Sequence, residues 1–369
     1  MELKPLGLRC GLPVPPISIG TARLPHDREA AAILIRAALD AGMRLIDSSR
    51  TYDDSELKVA LALKNGYRER AVVSAKWSPW AVKVDPDDLP TASCARKRLE
   101  EQLHRLQVDY VDLYMIWLIN IPEHYHSATA PGGLLEGILR AQDEGLVRHI
   151  GFSSHDTPQN ICAYMRKSDW CEVVMVSYNL INHHNACVLR QAQELGIGTL
   201  VMNPVGGGKF AQPSRVLNAL VRKTGVSSAA ELAIRYIMNN PNADSMLSGI
   251  AKHADIDDGV RCVECGPLDV EQMRFMHDML DSIDEKARHF CTACGYCMPC
   301  PQGVDIPGVM ACLERQLFWD LSDSARKKYR MLRGNDAAKC IGCGSCLSKC
   351  TQHLPVPDEM RAACRIFGN

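Results

Sequence analysis

Short apolar and β-branched runs alternate with amphipathic stretches along most of the chain. Pro16–Gly20 (PISIG) reads as a strand. Asp27–Asp40 reads as a helix, with Asp27 at its N-cap and Gly42 just past its end. The alternation then repeats. Met43–Asp47 is strand-like and Ser55–Lys64 helical, then Ala71–Lys76 and Thr91–Leu106, then Asp109–Trp117 and Gly133–Glu144. Arg148–Phe152 leads into Pro158–Arg166, and Glu172–Ser177 into Ala186–Leu195. Gly198–Asn203 precedes helical segments at Pro213–Lys223 and Ser227–Met238. Ser245–Ile250 closes the series before one more helical segment. These eight strands, at roughly 30 residues per unit, predict parallel strands joined by right-handed crossovers. A series of this length fits a closed (β/α)₈ TIM barrel. The alternative is an open doubly wound sheet, but no GxGxxG follows the first strand. Gly206–Gly208 follow the seventh strand, where barrels commonly place a phosphate-binding loop. A long helical segment, Val270–Ala287, leads out. The expected division is a barrel over 1–283 and a second, smaller domain over 284–369.

Composition narrows the class. Hydrophobic residues make up 46% and charged residues 23%, which excludes a mostly disordered chain and a membrane-embedded one. Lys+Arg 42 against Asp+Glu 43 leaves a net charge of -1, without the general basic field of a nucleic-acid binder. The opening MELKPLGLRCGLPVPP has no apolar core of a signal peptide. No uninterrupted apolar stretch reaches about 18 residues. The expectation is a cytoplasmic protein with no membrane insertion.

Cysteine placement carries the first specific chemistry. Of the 17 Cys, an odd number, ten lie in 291–369, which is not how a disulfide framework is spread. Two runs stand out: Cys291-Thr-Ala-Cys294-Gly-Tyr-Cys297-Met-Pro-Cys300 and Cys340-Ile-Gly-Cys343-Gly-Ser-Cys346-Leu-Ser-Lys-Cys350. Three thiolates in C-x2-C-x2-C series wrap one corner of an iron–sulfur cube, and the fourth Cys of such a run serves the other cluster. The expected sets are Cys291, Cys294, Cys297 and Cys350 for one [4Fe–4S] cluster, and Cys340, Cys343, Cys346 and Cys300 for the other. Zinc is the alternative, but zinc sites pair two C-x2-C units rather than set three cysteines in series. Helix-like sequence around Gly308–Arg333 separates the runs, so a mainly helical dicluster domain is expected. Cys10, Cys94, Cys162, Cys171, Cys187, Cys262, Cys265, Cys312 and Cys364 lack this spacing and read as ordinary partly buried thiols, with Cys262-x2-Cys265 a lone pair.

The barrel offers a second chemistry. The second strand ends in Asp47-Ser-Ser-Arg-Thr-Tyr52-Asp-Asp-Ser-Glu56, and the third in Ser-Ala-Lys76. Active sites of barrels are built at the C-terminal ends of strands. An ammonium beside a Tyr favours the phenolate, and an Asp beside that ammonium keeps it charged. Such a Tyr can protonate a carbonyl oxygen while hydride reaches carbon. Taken singly, the bland readings stand: Asp47 as a turn cap, Tyr52 as a loop aromatic, Lys76 as a solvated strand end.

On KPLGLRCGLPV, GTARL, DSSRTYDDSE, SAKW, VDYVDLYMI, INIPEHYH, EGLVRHIGFSSH, VSYN, VMNPVGGGK, LSGI and CTACGYCMPCPQGVDIP, the chain resembles the aldo/keto reductases that carry a C-terminal iron–sulfur domain. The resemblance implies a (β/α)₈ barrel, nicotinamide-dependent carbonyl/alcohol redox chemistry and a tetrad of Asp, Tyr, Lys and His. Asp47, Tyr52 and Lys76 match three of the four. The His position holds Trp117, whose indole offers one N–H and no titratable proton near neutrality. His124, His126 and His155 lie in nearby loops. The resemblance sets NADH or NADPH against Gly20, Thr21, Asp47, Ser153, Ser154, Met175, Asn203, Gly207 and Lys252. Here too the sequence departs: Ser154 stands where Asn is common, Met175 where the family has Gln, and Asp255 lies near the place of a 2′-phosphate.

The expected function is an oxidoreductase acting on a small-molecule carbonyl or hydroxyl group. Tyr52 would exchange the proton, and the two clusters would pass electrons to or from an external carrier. A cluster-fed enzyme with weak or no nicotinamide binding is one alternative. A non-catalytic electron-transfer or regulatory subunit is another. Specificity is expected in the loops Trp77–Asp88, with Trp80, and Leu118–Pro131.

Overall fold

The computed structural model describes residues 1–81, 84–180, 182–211, 214–287, 291, 297–350 and 354–368, without the side chains of 209, 211 and 283–287. In chain order the elements begin with β1 (Lys4–Pro5), α1 (Gly7–Cys10), β2 (Pro13–Val14), β3 (Ile17–Gly20), α2 (Arg28–Asp40), β4 (Leu45–Asp47), α3 (Ser55–Ala62) and β5 (Val72–Trp77). There follow α4 (Ala92–Leu106), β6 (Val111–Ile116), α5 (Pro122–Thr129), α6 (Leu134–Asp143), β7 (Val147–Ser154), α7 (Pro158–Arg166), β8 (Val173–Ser177), α8 (Ala186–Glu194) and β9 (Gly198–Met202). The remainder is α9 (Arg215–Thr224), α10 (Ala229–Met238), β10 (Ser245–Gly249), α11 (His253–Cys265), α12 (Val270–Ala287), α13 (Ile306–Leu317), α14 (Ser322–Met331) and α15 (Val356–Phe367).

Strands β3 to β10 close into a parallel barrel. The deciding pair is β10 with β3, in register from Met246↔Ile17 to Gly249↔Gly20. An open sheet would leave both of those edges unpaired. The helix starts follow local chemistry. Asp27 caps α2 by accepting from the Ala30 N–H at 2.8 Å, as the sequence predicts. Thr91, Thr157 and Ser214 cap α4, α7 and α9 in the same way.

The barrel interior follows from the two-residue period of strands. Leu45, Val72, Leu113, Met115, Val173, Met175, Leu200 and Leu247 meet in one buried cluster with Leu6, Cys10 and Val14. Stepping two residues on from these inward positions reaches Asp47 on β4, Ser74 and then Lys76 on β5, Trp117 after β6, and Ser177 on β8. The alternation that fills the barrel with hydrocarbon thus turns polar at its C-terminal end.

The β1–β2 hairpin and α1 contribute Leu6, Cys10 and Val14 at the opposite end. Gly7 has φ 61, and a Cβ there would lie 2.3 Å from the Gly198 nitrogen at the start of β9, so only glycine lets α1 come this close. These two-residue strands and one-turn helix are too short to leave a periodic trace in sequence.

The chain divides into two compact units, 1–204 with 233–267, and 205–232 with 268–369. The second has its own core, in which Val309, Met310 and Leu313 of α13, Ala325 and Tyr329 of α14, and Met360, Ala363 and Phe367 of α15 pack together. Trp319 of this unit is also buried, and its carbonyl accepts from Ser214 Oγ at 2.7 Å. The region is mainly helical as expected, with α13 and α14 inside the helix-like stretch and α15 beyond it. Among the described residues, no helix is long and apolar enough to cross a membrane.

Candidate active site

Asp47 and Lys76 are 4% and 1% exposed and form a direct ion pair. Asp47 Oδ1 also accepts from Ser74 Oγ at 3.2 Å, and Lys76 Nζ donates to the Ser48 carbonyl at 3.0 Å. Burial alone pushes the Lys76 ammonium down. The Asp47 carboxylate and Tyr52 outweigh it, so the group sits above the ordinary lysine value and stays charged. Nζ lies 4.7 Å from the Tyr52 ring centroid and 5.9 Å from that of Trp117. Tyr52 and Trp117 meet edge to face, centroids 5.6 Å apart at 88°. The four residues singled out as catalytic therefore lie together.

Neighbouring groups hold them. Thr21 Oγ1 donates to the Asp47 carbonyl at 2.9 Å and accepts from Ser55 Oγ at 2.7 Å. Gly20 pairs with Asp47 across β3 and β4. Glu56, fully buried, accepts from Gln102 Nε2 at 2.8 Å and Arg105 Nε at 2.6 Å. Burial pushes its carboxyl up against those two donors. Gln102 also donates to the Lys76 carbonyl at 3.3 Å and accepts from Tyr114 OH at 3.0 Å. This network ties the start of α3, just after Tyr52, to β5. Sequence reasoning gave Glu56 no role and missed Gln102. The only available signal was a Glu closing the DSSRTYDDSE motif.

The two loops expected to set specificity meet beside Trp117. Trp80 Nε1 donates to the Trp117 carbonyl at 2.8 Å, and its ring stacks on His124 at 4.5 Å and 8°. His124 Nδ1 lies 3.1 Å from the Leu118 carbonyl. His155 is buried enough to push its pKa down, with Nδ1 3.4 Å from Ser177 Oγ.

The positions expected to hold a nicotinamide are occupied by internal contacts. Ser153 Oγ accepts from the Leu118 N–H at 3.0 Å. Ser154 Oγ donates to the Ile119 carbonyl at 2.5 Å and accepts from the Asp156 N–H at 3.0 Å. Asn203 Nδ2 donates to Ser177 Oγ at 3.1 Å, and Met175 is buried in the barrel core. Lys252 is the N-cap of α11, and Asp255 Oδ2 accepts from the Ala251 and Lys252 N–H groups at 2.8 and 3.1 Å. Gly207, in the second unit, takes the left-handed φ of 66 that glycine favours.

In the second unit, Cys300, Cys340, Cys343 and Cys346 line one pocket that is partly open to solvent, with Cys297 also on its wall. The four cysteines expected to share a cluster therefore do converge. Cys343 Sγ lies 3.4 Å from Ser345 Oγ, and that contact pushes the thiol down toward the thiolate that binds metal. Of the other set, Cys291, Cys297 and Cys350 all pack against the helical core. Cys294 lies outside the described residues.

With this geometry in place, similarity to known proteins becomes specific. Residues 16–281 match the model of the aldo/keto reductase family. The chain belongs to the aldo/keto reductase family. Residues 290–355 match the 4Fe-4S dicluster domain, so this aldo/keto reductase carries a ferredoxin-type iron–sulfur domain C-terminal to its barrel in sequence. The 6-dehydroglucose reductase of Novosphingobium aromaticivorans is 28% identical over 278 residues, covering 69% of this chain and 88% of that one. The methylglyoxal reductase DkgA of Salmonella typhimurium is 31% identical over 237 residues, covering 62% and 77%. The holo form of aldo-keto reductase AKR11C1 from Bacillus halodurans matches with TM-score 0.66 at 22% identity, over 75% of this chain and 96% of that one, a likeness of fold.

Proposed function

We propose that this aldo/keto reductase is an iron–sulfur oxidoreductase acting on the carbonyl or hydroxyl group of a small molecule, with Tyr52 as the proton donor or acceptor. The observation that carries the reading is the buried Asp47–Lys76 pair set against the Tyr52 ring. Reducing a carbonyl to an alcohol takes two electrons and two protons in all. The Tyr52 hydroxyl supplies the proton that ends on oxygen. The Lys76 ammonium stabilises the phenolate left behind, and Asp47 keeps that ammonium charged in a site closed to water. Trp117 occupies the position of the tetrad His. It packs against Tyr52 and shapes the substrate side, but has no proton to give near neutrality.

The two cysteine sets fit two [4Fe–4S] clusters, one held by Cys300, Cys340, Cys343 and Cys346, the other by Cys291, Cys294, Cys297 and Cys350. The shared pocket supports the first set. When bound, such clusters supply one-electron transfer, here exchanged with an external carrier. We place the boundary between the two domains at 283/284, supported by family matches that end at 281 and begin at 290. Clusters held by open thiolates suit a reducing cytoplasm.

The residues present do not make a complete cradle for a nicotinamide carboxamide. Ser153 and Ser154 already bond the backbone, and Met175 offers the amide nothing. NADH or NADPH enters as the electron source to be tested. The Asp255 carboxylate, which already takes two N–H donors at the start of α11, opposes a 2′-phosphate there and favours NADH. The same observations favour, as a second reading, an enzyme fed by its clusters alone. The test is anaerobic titration of the cluster-replete protein with NADH and NADPH, followed by assays against aldehydes, ketones and alcohols. Cluster bleaching by NADH with turnover of a carbonyl supports the first reading. Turnover only with chemically reduced clusters moves the second reading forward. No turnover with any electron source contradicts the enzyme and points to a non-catalytic subunit.

A further inference from the structure

We infer that the open mouth of the pocket lined by Cys300, Cys340, Cys343 and Cys346 is a docking surface for an acidic, one-electron carrier protein. It rests on the proposed exchange of electrons with an external carrier, and adds where that carrier sits and what charge it bears. Of the described motif cysteines, Cys343 is exposed, while Cys291, Cys297, Cys300, Cys340, Cys346 and Cys350 are half-buried. Those six pack against the helical core of their unit. Cys343 stands at the rim with Pro301, Gln302, Ile341 and Ser345, all of them exposed and all lining the same pocket. A Cβ on Gly342 would meet no described atom within 4 Å, so the outer side of this loop faces open space. A partner seated on the rim would reach the sulfur of a cluster ligand with no layer of protein between.

Two features of the rim select the partner. The first is apolar. Ile341 and Leu347 are 69% and 45% exposed and lie on either side of Cys343 in the chain, so covering them removes hydrocarbon from water. The second is charge. Residues 324–357 carry seven Lys and Arg against one acid, Asp336, in a chain whose net charge is -1. Lys339 and Lys349 flank the cysteine run, and both are exposed, as is Arg333. The Lys339 ammonium lies 3.8 Å from where a Cβ would sit on Gly303, and the Asp305 N–H donates to the Asn335 carbonyl at 2.7 Å. The stretch with Arg333 and Lys339 therefore runs alongside the loop that follows Cys300. Neighbouring acids are held within the unit. Asp305 accepts from the Gly308 N–H at 3.0 Å, Asp336 from the Ala338 N–H at 2.9 Å, and Asp358 pairs with Arg361. The rim thus sets positive charge around a small apolar centre, which complements an acidic protein.

Such a surface suits a brief encounter. Electron-transfer interfaces are small and weak, and opposite charges raise the rate of approach about 10–10³-fold at low salt. Each encounter moves one electron: the carrier is oxidised by one and the cluster reduced by one, or the reverse. Two encounters furnish the two electrons of one carbonyl reduction, and the two protons come from Tyr52 and solvent.

The test uses the full-length, cluster-replete protein under anaerobic conditions. Purified flavodoxin, a small acidic flavoprotein, is the probe, and cytochrome c is the basic protein for comparison. Calorimetric titration should show flavodoxin binding at about 0.01 M salt that weakens about tenfold or more by about 0.2 M. Stopped-flow reduction of the clusters by reduced flavodoxin should follow the same salt dependence. Lys339→Glu/Lys349→Glu should slow that second-order step about tenfold or more at low salt, with iron content and reduction by dithionite as in wild type. Ile341→Ser should weaken binding about tenfold at every salt concentration. The inference is overturned if flavodoxin binds no better than cytochrome c, if the lysine variant binds flavodoxin as wild type does, or if a DNA duplex binds in preference to flavodoxin. A lysine variant that loses iron also overturns it, because the lysines then serve the negative charge of the cluster itself. Protein whose clusters dithionite cannot reduce, or which holds none, overturns the cluster reading under the proposed function and this inference with it.

Discussion

Replacing Lys76 with Met would leave the Asp47 carboxylate 4% exposed, with Ser74 Oγ at 3.2 Å as its remaining side-chain donor. Breaking a buried pair from one side typically costs about 3–5 kcal/mol. The variant has one escape, which is to protonate Asp47. For a carboxylate that is ordinarily half-protonated near pH 3.9, that costs about 4 kcal/mol at pH 7, at about 1.36 kcal/mol per pH unit. The loss should therefore reach about 4 kcal/mol at pH 7 and shrink to about 1.5 kcal/mol at pH 5. The sign follows from proton counting. The folded variant holds a proton that the unfolded chain has released, so its stability falls as pH rises above the ordinary carboxylate value. The wild type behaves differently. Its Lys76 pKa is raised, so the contribution of the pair is full below the ordinary lysine value of 10.5 and is lost only as pH rises past the folded value. The assay is anaerobic urea unfolding followed by far-ultraviolet circular dichroism at both pH values, for wild type, Lys76→Met and Asp47→Leu/Lys76→Met. The double variant should recover most of the loss, because no charge is left buried. A loss of the same size at both pH values, or no recovery in the double variant, would refute the reasoning.

Other outcomes follow. Anaerobic protein should hold about eight iron and about eight sulfide per chain, and Cys300→Ser should lose up to about half of each; stoichiometric zinc without acid-labile sulfide, even after reconstitution, contradicts the ligand sets. Trp117→His should raise simple aldehyde reduction if the indole shapes a pocket for a different reaction. An oxyanion-type donor is worth roughly 3–4 kcal/mol where well placed, and an unchanged rate despite demonstrated nucleotide binding removes position 117 as the deciding difference. His149 donates from Nδ1 to Glu172 at 2.6 Å, and contact with Cys10, then Glu172, lifts its pKa to about 10. Its stabilising contribution should be full below the ordinary 6.5 and fade as pH rises toward about 10, so His149→Phe should flatten the urea midpoint across that window; an unchanged slope refutes it.

Much of this was legible in the chain. The barrel strands and helices leave strong periodic traces, and Asp27 announces its helix as a cap. Closure of β10 onto β3 has no local signature, because register is a property of two distant segments. The hairpin with α1, and α5 inside the Leu118–Pro131 loop, were too short to read; α15 was missed although Val356, Met360, Ala363 and Phe367 recur at helical spacing. At the site, the motifs gave Asp47, Tyr52, Lys76 and Trp117, since Asp47, Lys76 and Trp117 lie at strand ends and Tyr52 in the loop that follows β4. They did not show that Ser153, Ser154 and Asn203 are spent on internal hydrogen bonds, because those partners lie on other strands and loops. Gln102 was invisible for the same reason: its bonds to Glu56, Lys76 and Tyr114 join neighbours in space separated in sequence.

The central claim is that Tyr52 moves the substrate proton. The direct measurement is the single-turnover rate of wild type and Tyr52→Phe on a carbonyl substrate, with the same electron source and with cluster content matched. The substitution removes one hydroxyl and leaves the ring against Lys76 and Trp117. General acid catalysis is worth about 10²–10⁴ in rate, and a fall of that size, with substrate affinity and iron content nearly unchanged, is the predicted result. A Tyr52→Phe protein that keeps most of its rate contradicts the account.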